Sequence, residues 1–339
     1  MENHQTHPPA SQEFITVVSA ISQGTRDHQE DAYGLWSLSS GLQHFVVVAD
    51  GAGGHGGGAD ASAAAIASAR ETWEKVSPSD LEDPALFLAN WMKDAHLAVN
   101  EASARIQRSA RTVVVACFTD GKSAHWVHAG DCRLLRFHQG KLVERTRDDS
   151  VVQVLFERGE ITEEEMGTHP DQSRLLQSLG GEEAPSPRPG NAEVAAGDVL
   201  ILCSDGFWEH LKTKELEKLA ATQPAKRQRA LDQAVAEAVR RAGAKADNST
   251  AVMIAFDKND RTRLSAALCL LLLLAVLAGC AAALYRSGEL ENFKQLWKMF
   301  LHPAEPAAAK SALSGNDTAL LKETPFPNRL VTTAHEQSI

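Results

Sequence analysis

The sequence predicts an α/β protein built on a mainly antiparallel sheet and followed by one membrane-spanning helix. Short β-like runs alternate with helical patterns through the first 257 residues. Three of those runs follow one another closely with turns between them, which favours antiparallel neighbours over a βαβ ladder. The 22 residues from 264 to 285, LSAALCLLLLLAVLAGCAAALY, carry no charge.

Residues 1–12 read as a flexible leader: they have no basic stretch followed by an apolar one, so no export signal is expected. The runs 14–21, 35–38 and 44–49 read as strands, and 59–75 and 86–108 as helices. Strands at 111–118, 125–129 and 133–138 follow, with turns at Asp120-Gly121 and Gly130-Asp131. Short helices at 151–158 and 162–165 lie in a polar insert of about 150–180, which runs out near the Pro-rich EEAPSPRPG. A strand at 199–203, a helix at 226–241 and a strand at 250–256 complete a domain over 13–257.

A basic linker, 258–263, leads into the span. At ~1.5 Å per residue its length covers the ~30 Å hydrocarbon core, whereas helices buried in a protein core are usually shorter and keep a polar stripe. The positive-inside rule is nearly tied, with Lys258, Arg261 and Arg263 before the span and Arg286, Lys294 and Lys298 after it. Topology therefore rests on the missing export signal: a single-pass protein of the inner membrane, with the 13–257 domain in the cytoplasm and 286–339 an extracytoplasmic tail. In that tail Leu290, Phe293, Trp297, Phe300 and Leu301 recur at three- and four-residue steps. An amphipathic helix over 289–301 is expected, resting on the outer leaflet or docking a partner.

Charge and cysteine content exclude other classes. With 34 Lys+Arg against 44 Asp+Glu the net charge is −10, so no nucleic-acid partner is expected. Of five cysteines, Cys269 and Cys280 fall in the apolar run. Cys117, Cys132 and Cys203 are too scattered for a disulfide framework or a zinc site, which points to a reducing compartment.

The chemistry lies in acids that recur at strand ends: Glu30-Asp31, Asp50-Gly51, Asp131, Asp205-Gly206 and Asp247-Asn248. One Asp-Gly is usually a turn, but five such places in one domain invite a common cause. An all-oxygen set of carboxylates suits hard Mg²⁺ or Mn²⁺ rather than zinc or copper. Gly51 to Gly56 also match GxGxxG, yet Asp50 would set a carboxylate beside a diphosphate and the strands that follow read as hairpins, so a dinucleotide site is disfavoured. No Lys-Ser or Lys-Thr follows the glycines, which excludes a Walker A loop.

QGTRDHQEDAYG, VVVADGAGGHGGG, HAGDCRLLRF, ILCSDGFWE and ADNSTAV, in this order and spacing, resemble the metal-dependent protein phosphatases of the protein phosphatase 2C type in their bacterial form. The resemblance covers 14–257 and extends to the insert at 150–180, which is similar to the family's flap. It implies a four-layer α/β/β/α sandwich of two mainly antiparallel sheets flanked by helices. It also implies two Mn²⁺ or Mg²⁺ ions and a third, weaker one. By the same resemblance Asp50 bridges two ions and Gly51 offers its carbonyl. Asp205 and Asp247 ligate one ion, Glu30 and Asp31 hold the second largely through water, and Asp131 borders the third. Arg26 binds the substrate phosphate, and Asn248 supports the ligands. Adjacent ions would make a water nucleophilic at neutral pH, leaving no catalytic work for Cys203, which reads as a small buried hydrophobe.

Animal members carry a histidine two residues after the bridging aspartate, proposed as a general acid. This chain has Ala52 there, and the nearby His55 reads as a polar loop residue. The function implied is hydrolysis of phosphoserine and phosphothreonine in phosphorylated protein substrates, opposite a Ser/Thr kinase. The alternative is a catalytically weak, membrane-tethered phosphoprotein adaptor. Trp36, Trp73, Trp91 and Trp126 read as core, and Trp208 as packing the turn at Asp205.

Overall fold

The computed structural model describes residues 14–38, 41–52, 56–257, 271–276, 278–279, 282–283 and 294. The chain divides into two compact units, Met1–Leu264 and Ser265–Ile339. In the first, ten strands among the described residues form two five-stranded antiparallel sheets. One has the order β1 (Phe14–Ser22), β10 (Ser249–Asp257), β9 (Asp198–Cys203), β6 (Arg133–His138), β7 (Lys141–Arg145). The other runs β2 (Asp31–Ser37), β3 (His44–Ala52), β4 (Arg111–Thr119), β5 (Ser123–Ala129), β8 (Arg188–Glu193).

Residue alternation makes the layers. In β3, Phe45, Val47 and Ala49 point to one side, where α1 (Gly58–Glu74) and α2 (Pro84–Ile106) bring Trp73, Phe87 and Trp91. Phe45 centres this aromatic cluster, 5.2 Å from the Phe87 ring and 5.7 Å from those of Trp73 and Trp91, spacings that favour edge and offset contacts. Val46 and Val48 point the other way, into a layer shared with Leu200, Leu202, Val252 and Ile254 of the second sheet. In β10, Ala251, Met253 and Ala255 turn instead to Leu216, Leu219, Leu231 and Val235, which lie on α6 (Thr213–Ala220) and α7 (Arg227–Ala242). Because both faces of β3 and β10 are covered, their sequences are continuously apolar.

The strands expected at 35–38 and 44–49 start or end further out, so that Asp31, Asp50 and Gly51 lie within the sheet. Several elements were not expected. β7 and β8 are edge strands recruited by β6 and β5, and Arg-Pro-Gly-Asn in β8 reads locally as loop. An edge tolerates that proline, since its missing N–H faces away from the ladder. α6 is short, but Leu216 and Leu219 repeat at helical spacing. Within the insert the structure places α3 (Val151–Glu157), capped by Ser150 accepting from Gln153 N at 3.3 Å, and α4 (Glu163–Met166).

The span expected at 264–285 falls mostly outside the described residues. Residues 271–276 are helical with Leu271 to Leu274 and Val276 more than half exposed. Among the described residues no helix is long and apolar enough to cross a membrane. The leader 1–12, the linker 258–263 and, but for Lys294, the helix expected at 289–301 lie outside the described residues.

Candidate metal centre

The acids come from five places in the chain and meet because both sheets end on the same side. Asp31 opens β2 directly opposite Asp50 of β3. Gly51 N donates to the Glu30 carbonyl at 3.1 Å. Thr112 on β4 donates its hydroxyl to the Asp50 carbonyl at 2.7 Å, which pins the strand under the carboxylate. Gly51 has to be glycine: a Cβ there would fall on the backbone of Gly58, where α1 begins. A Cβ on Gly58 would in turn lie 2.8 Å from Glu30 Cδ. These two glycines therefore let the first turn of α1 close over the strand end.

The second sheet supplies the opposite wall. Asp205 is the first residue of α5 (Asp205–Trp208), which follows β9, and its carboxylate accepts from Gly206 N at 2.6 Å. Asp247 and Asn248 precede β10. Asn248 Nδ2 donates to the carbonyls of Gln23 and His28 at 2.8 and 3.1 Å, while its Oδ1 accepts from Glu30 N at 2.7 Å. One amide thus ties the loop carrying Arg26 and Glu30 to the strand end. Arg26 pairs with Asp247, which sets its half-exposed guanidinium on the rim of the acidic cluster. Asp131 follows Gly130, whose φ of +101° makes the turn between β5 and β6, and it is 8% exposed.

Burial and mutual repulsion push these carboxyls upward. Asp50 and Asp131 are driven well above the usual range, by burial first and then by neighbouring carboxylates, Asp31 and Asp205 for Asp50 and Asp205 and Asp148 for Asp131. Asp31 rises to about 7 by burial, against hydrogen bonds from Thr250 and Ser204. Asp205 rises to about 6 by burial and Asp247, with a hydrogen bond to Asp50 opposing. Glu30 rises by burial, moderated by Arg26.

Does this set fit a metal ion? Among the described residues no three acidic, histidine or cysteine side chains stand in ready ligand geometry. The donors are nevertheless all oxygen. Asp31 Oδ2 accepts from Ser204 and Thr250 at 2.8 and 2.7 Å, while Asp31 Oδ1 is buried with no partner, a costly state that a cation would relieve. The residues fit hard divalent ions.

Several contributors were not singled out in the sequence. Ser204 and Thr250 orient Asp31, and their neighbourhood to Asp205 and Asn248 was the available signal. Glu209, one helical turn after Asp205, is pushed up to about 9 by burial and by Asp205 and Asp131, so it belongs to the cluster. Trp208 Nε1 donates to the Asp131 carbonyl at 3.1 Å, a tighter link to the site than packing its turn. Cys203 is buried with its thiol pushed up by desolvation, as a spectator would be. Gly53, Gly54 and His55 lie outside the described residues.

Comparison with known proteins agrees with this geometry. A family model described as Protein phosphatase 2C matches residues 19–246. A putative protein phosphatase 2C-type of Streptococcus pyogenes is 28% identical over 207 residues, 60% of this chain and 82% of that protein. The serine/threonine protein phosphatase PstP of Mycobacterium tuberculosis is 33% identical over 169 residues, 48% of this chain and 31% of that protein. The solved catalytic domain of serine threonine protein phosphatase PstP in complex with 2 manganese ions superposes with a TM-score of 0.59 at 25% identity, covering 73% of this chain and all of that one.

Proposed function

The chain belongs to the protein phosphatase 2C family, and we propose that it hydrolyses phosphoserine and phosphothreonine in proteins at the carboxylate cluster centred on Asp50. The observation that carries this reading is the convergence on Asp50 of acids from separate strand ends, each raising its neighbours. Asp50 and the Gly51 carbonyl would hold two Mn²⁺ or Mg²⁺ ions, with Asp205 and Asp247 toward one and Glu30 and Asp31 toward the other. Asp131 and Glu209 border the place for a third. When bound, such ions supply hydroxide at neutral pH and neutralise phosphoryl oxygens, so no thiol nucleophile is needed.

The protein's own part is to hold the substrate. Arg26 offers a planar fork of donors to phosphoryl oxygens, and its position on Asp247 keeps it beside the cluster. Asn248 fixes the loop that presents it. Ala52 has no proton to give to the leaving oxygen.

The full-length chain is expected to hydrolyse a phosphothreonine peptide with Mn²⁺ or Mg²⁺ and to stop in EDTA. Asp50→Asn or Asp205→Asn should lower kcat at least about 100-fold, while Cys203→Ser keeps the reaction. Metal-independent turnover would overturn the reading, and phosphopeptide binding without turnover would favour an adaptor.

We further propose that the phosphatase unit lies on the cytoplasmic face of a membrane, tethered by 264–285, with a Ser/Thr kinase as its counterpart. The uncharged 22 residues support the tether. Cys117, Cys132 and Cys203, buried and free, support a reducing compartment.

A further inference from the structure

A cavity of about 790 Å³ opens beside the carboxylate cluster, between the end of β3 and residues 175–186, where the insert leads toward β8. Strand pairing lays out its walls. Arg111 opens β4 opposite Ala52, the residue after Gly51, and both line the cavity. Thr112 and Leu179 exchange backbone hydrogen bonds at 3.2 and 2.8 Å, so the strap 175–181 is joined to the strand that Arg111 begins.

The strap is also held by α2. Gly180 N donates to His96 Nδ1 at 3.2 Å, Gly181 N donates to Asn100 Oδ1 at 2.8 Å, and Asn100 Nδ2 returns a bond to the Gly181 carbonyl at 3.0 Å. Gly180 and Gly181 have φ of +88° and +91°, a region that favours glycine. A Cβ on Gly181 would come within 2.9 Å of Arg111 Nη2. Gly181 thus lets the strap pass over the guanidinium, while Gly180 lets it close on Ala110 and Val99.

Arg111 is exposed, and among the described residues it makes no ion pair or side-chain hydrogen bond. Arg133, Arg227 and Arg241 each have a fixed carboxylate. An uncommitted guanidinium beside a phosphoryl site is suited to a second anion, because its fork of donors matches a carboxylate in two places. Glu182 and Glu183 line the same cavity, but they follow both glycines along the strap. Arg111 is the charge that strand register sets next to the cluster, so a residue adjoining the phosphorylated one meets it first.

Resting on the phosphatase reading, we propose that this cavity is a subsite for substrate residues flanking the phosphorylated one, and that Arg111 selects an acidic side chain there. It is a specificity determinant; the hydrolytic chemistry stays with the carboxylate cluster.

The full-length chain with Mn²⁺ is to be assayed on phosphothreonine peptides that differ in one flanking position at a time, carrying Glu, Gln or Lys within three residues on either side. At one or two positions kcat/KM should fall in the order Glu, Gln, Lys, with roughly three- to tenfold between Glu and Gln, expressed in KM. Arg111→Ala should make Glu and Gln equal, Arg111→Lys should keep part of the preference, and Arg111→Glu should put Lys first. The last variant reports only if it folds and turns over, so its inverted order is not a trivial loss. Equal rates on all peptides, or an order that survives Arg111→Ala, would overturn the subsite. A wild-type preference for Lys would assign the cavity to Glu182 and Glu183 and overturn the role of Arg111. If no peptide is hydrolysed with metal present, the phosphatase reading itself falls, and the subsite with it.

Discussion

Asp148 has 1% of its side chain exposed, and its two oxygens accept from Arg133 Nε and Nη2 at 2.9 and 2.7 Å. Arg133 Cζ lies 3.3 Å from the centre of the Trp208 ring, and Trp208 in turn holds the Asp131 carbonyl. A buried ion pair thus anchors the backbone of a cluster acid through one indole. Removing Asp148 takes both of these hydrogen bonds from a buried guanidinium, so Asp148→Ala should cost about 3–5 kcal/mol, whereas replacing both residues by apolar ones of similar volume should recover most of it. Urea denaturation of Asp148→Ala and of Arg133→Met/Asp148→Leu checks this. An Asp148→Ala protein within about 1 kcal/mol of the parent would refute the anchoring role, since that is the range of an exposed pair. None of this was legible in HAGDCRLLRF or TRDDS, where Arg133 and Asp148 are 15 residues apart and each reads as an ordinary polar strand or loop residue.

At the scale of elements, the strongest local signals gave the clearest boundaries. β6 runs over the expected 133–138, because alternation, a preceding Gly-Asp turn and a following Gln-Gly turn agree. β8 was missed because its pairing with β5 supplies what its composition lacks. The uncharged run 264–285 is a local signal of the same strong kind, and the proposed tether rests on it. Protease added outside intact cells is expected to trim residues beyond the span and leave the phosphatase unit whole. Cleavage of that unit with protection of 286–339 would reverse the topology, and release of the whole chain by a salt or carbonate wash would remove the tether.

For the whole molecule, the cost of gathering acids should appear in its stability. Raised carboxyls bind more protons folded than unfolded, so the metal-free protein should lose stability as pH rises through the displaced values, about 6 for Asp205, about 7 for Asp31 and about 9 for Glu209. His44, His96, His128 and His210, lowered by burial, oppose this only below their ordinary value of about 6.5. The window between pH 7 and 9 therefore excludes the histidines, and because the buried thiols of Cys117, Cys132 and Cys203, raised by desolvation, add a loss of the same sign only near their ordinary value of about 8.5, the fall from pH 7 to 8 belongs to the acids. In EDTA the Tm should fall across that window, and saturating Mn²⁺ should raise Tm most at its upper end, where the ligands are already deprotonated. A Tm in EDTA that climbs from pH 7 to 9, with no gain from Mn²⁺, would contradict a cluster built for cations.

The sequence by itself determined which acids stand at strand ends and where most of the strands that present them lie. Acids at strand ends, the apolar runs of β3 and β10 and the order of five motifs are properties of neighbouring residues, and local patterns record them. Tertiary structure alone decided that Asp31 faces Asp50 across a sheet, that Ser204 and Thr250 take one of its oxygens and leave the other bare, that Glu209 joins the cluster, and that Arg111 stands under a glycine strap beside it. Those outcomes depend on distances between residues up to about 220 positions apart. Coulomb repulsion, desolvation and hydrogen bonding act through space, and only the packed sheets set the spacing at which they act.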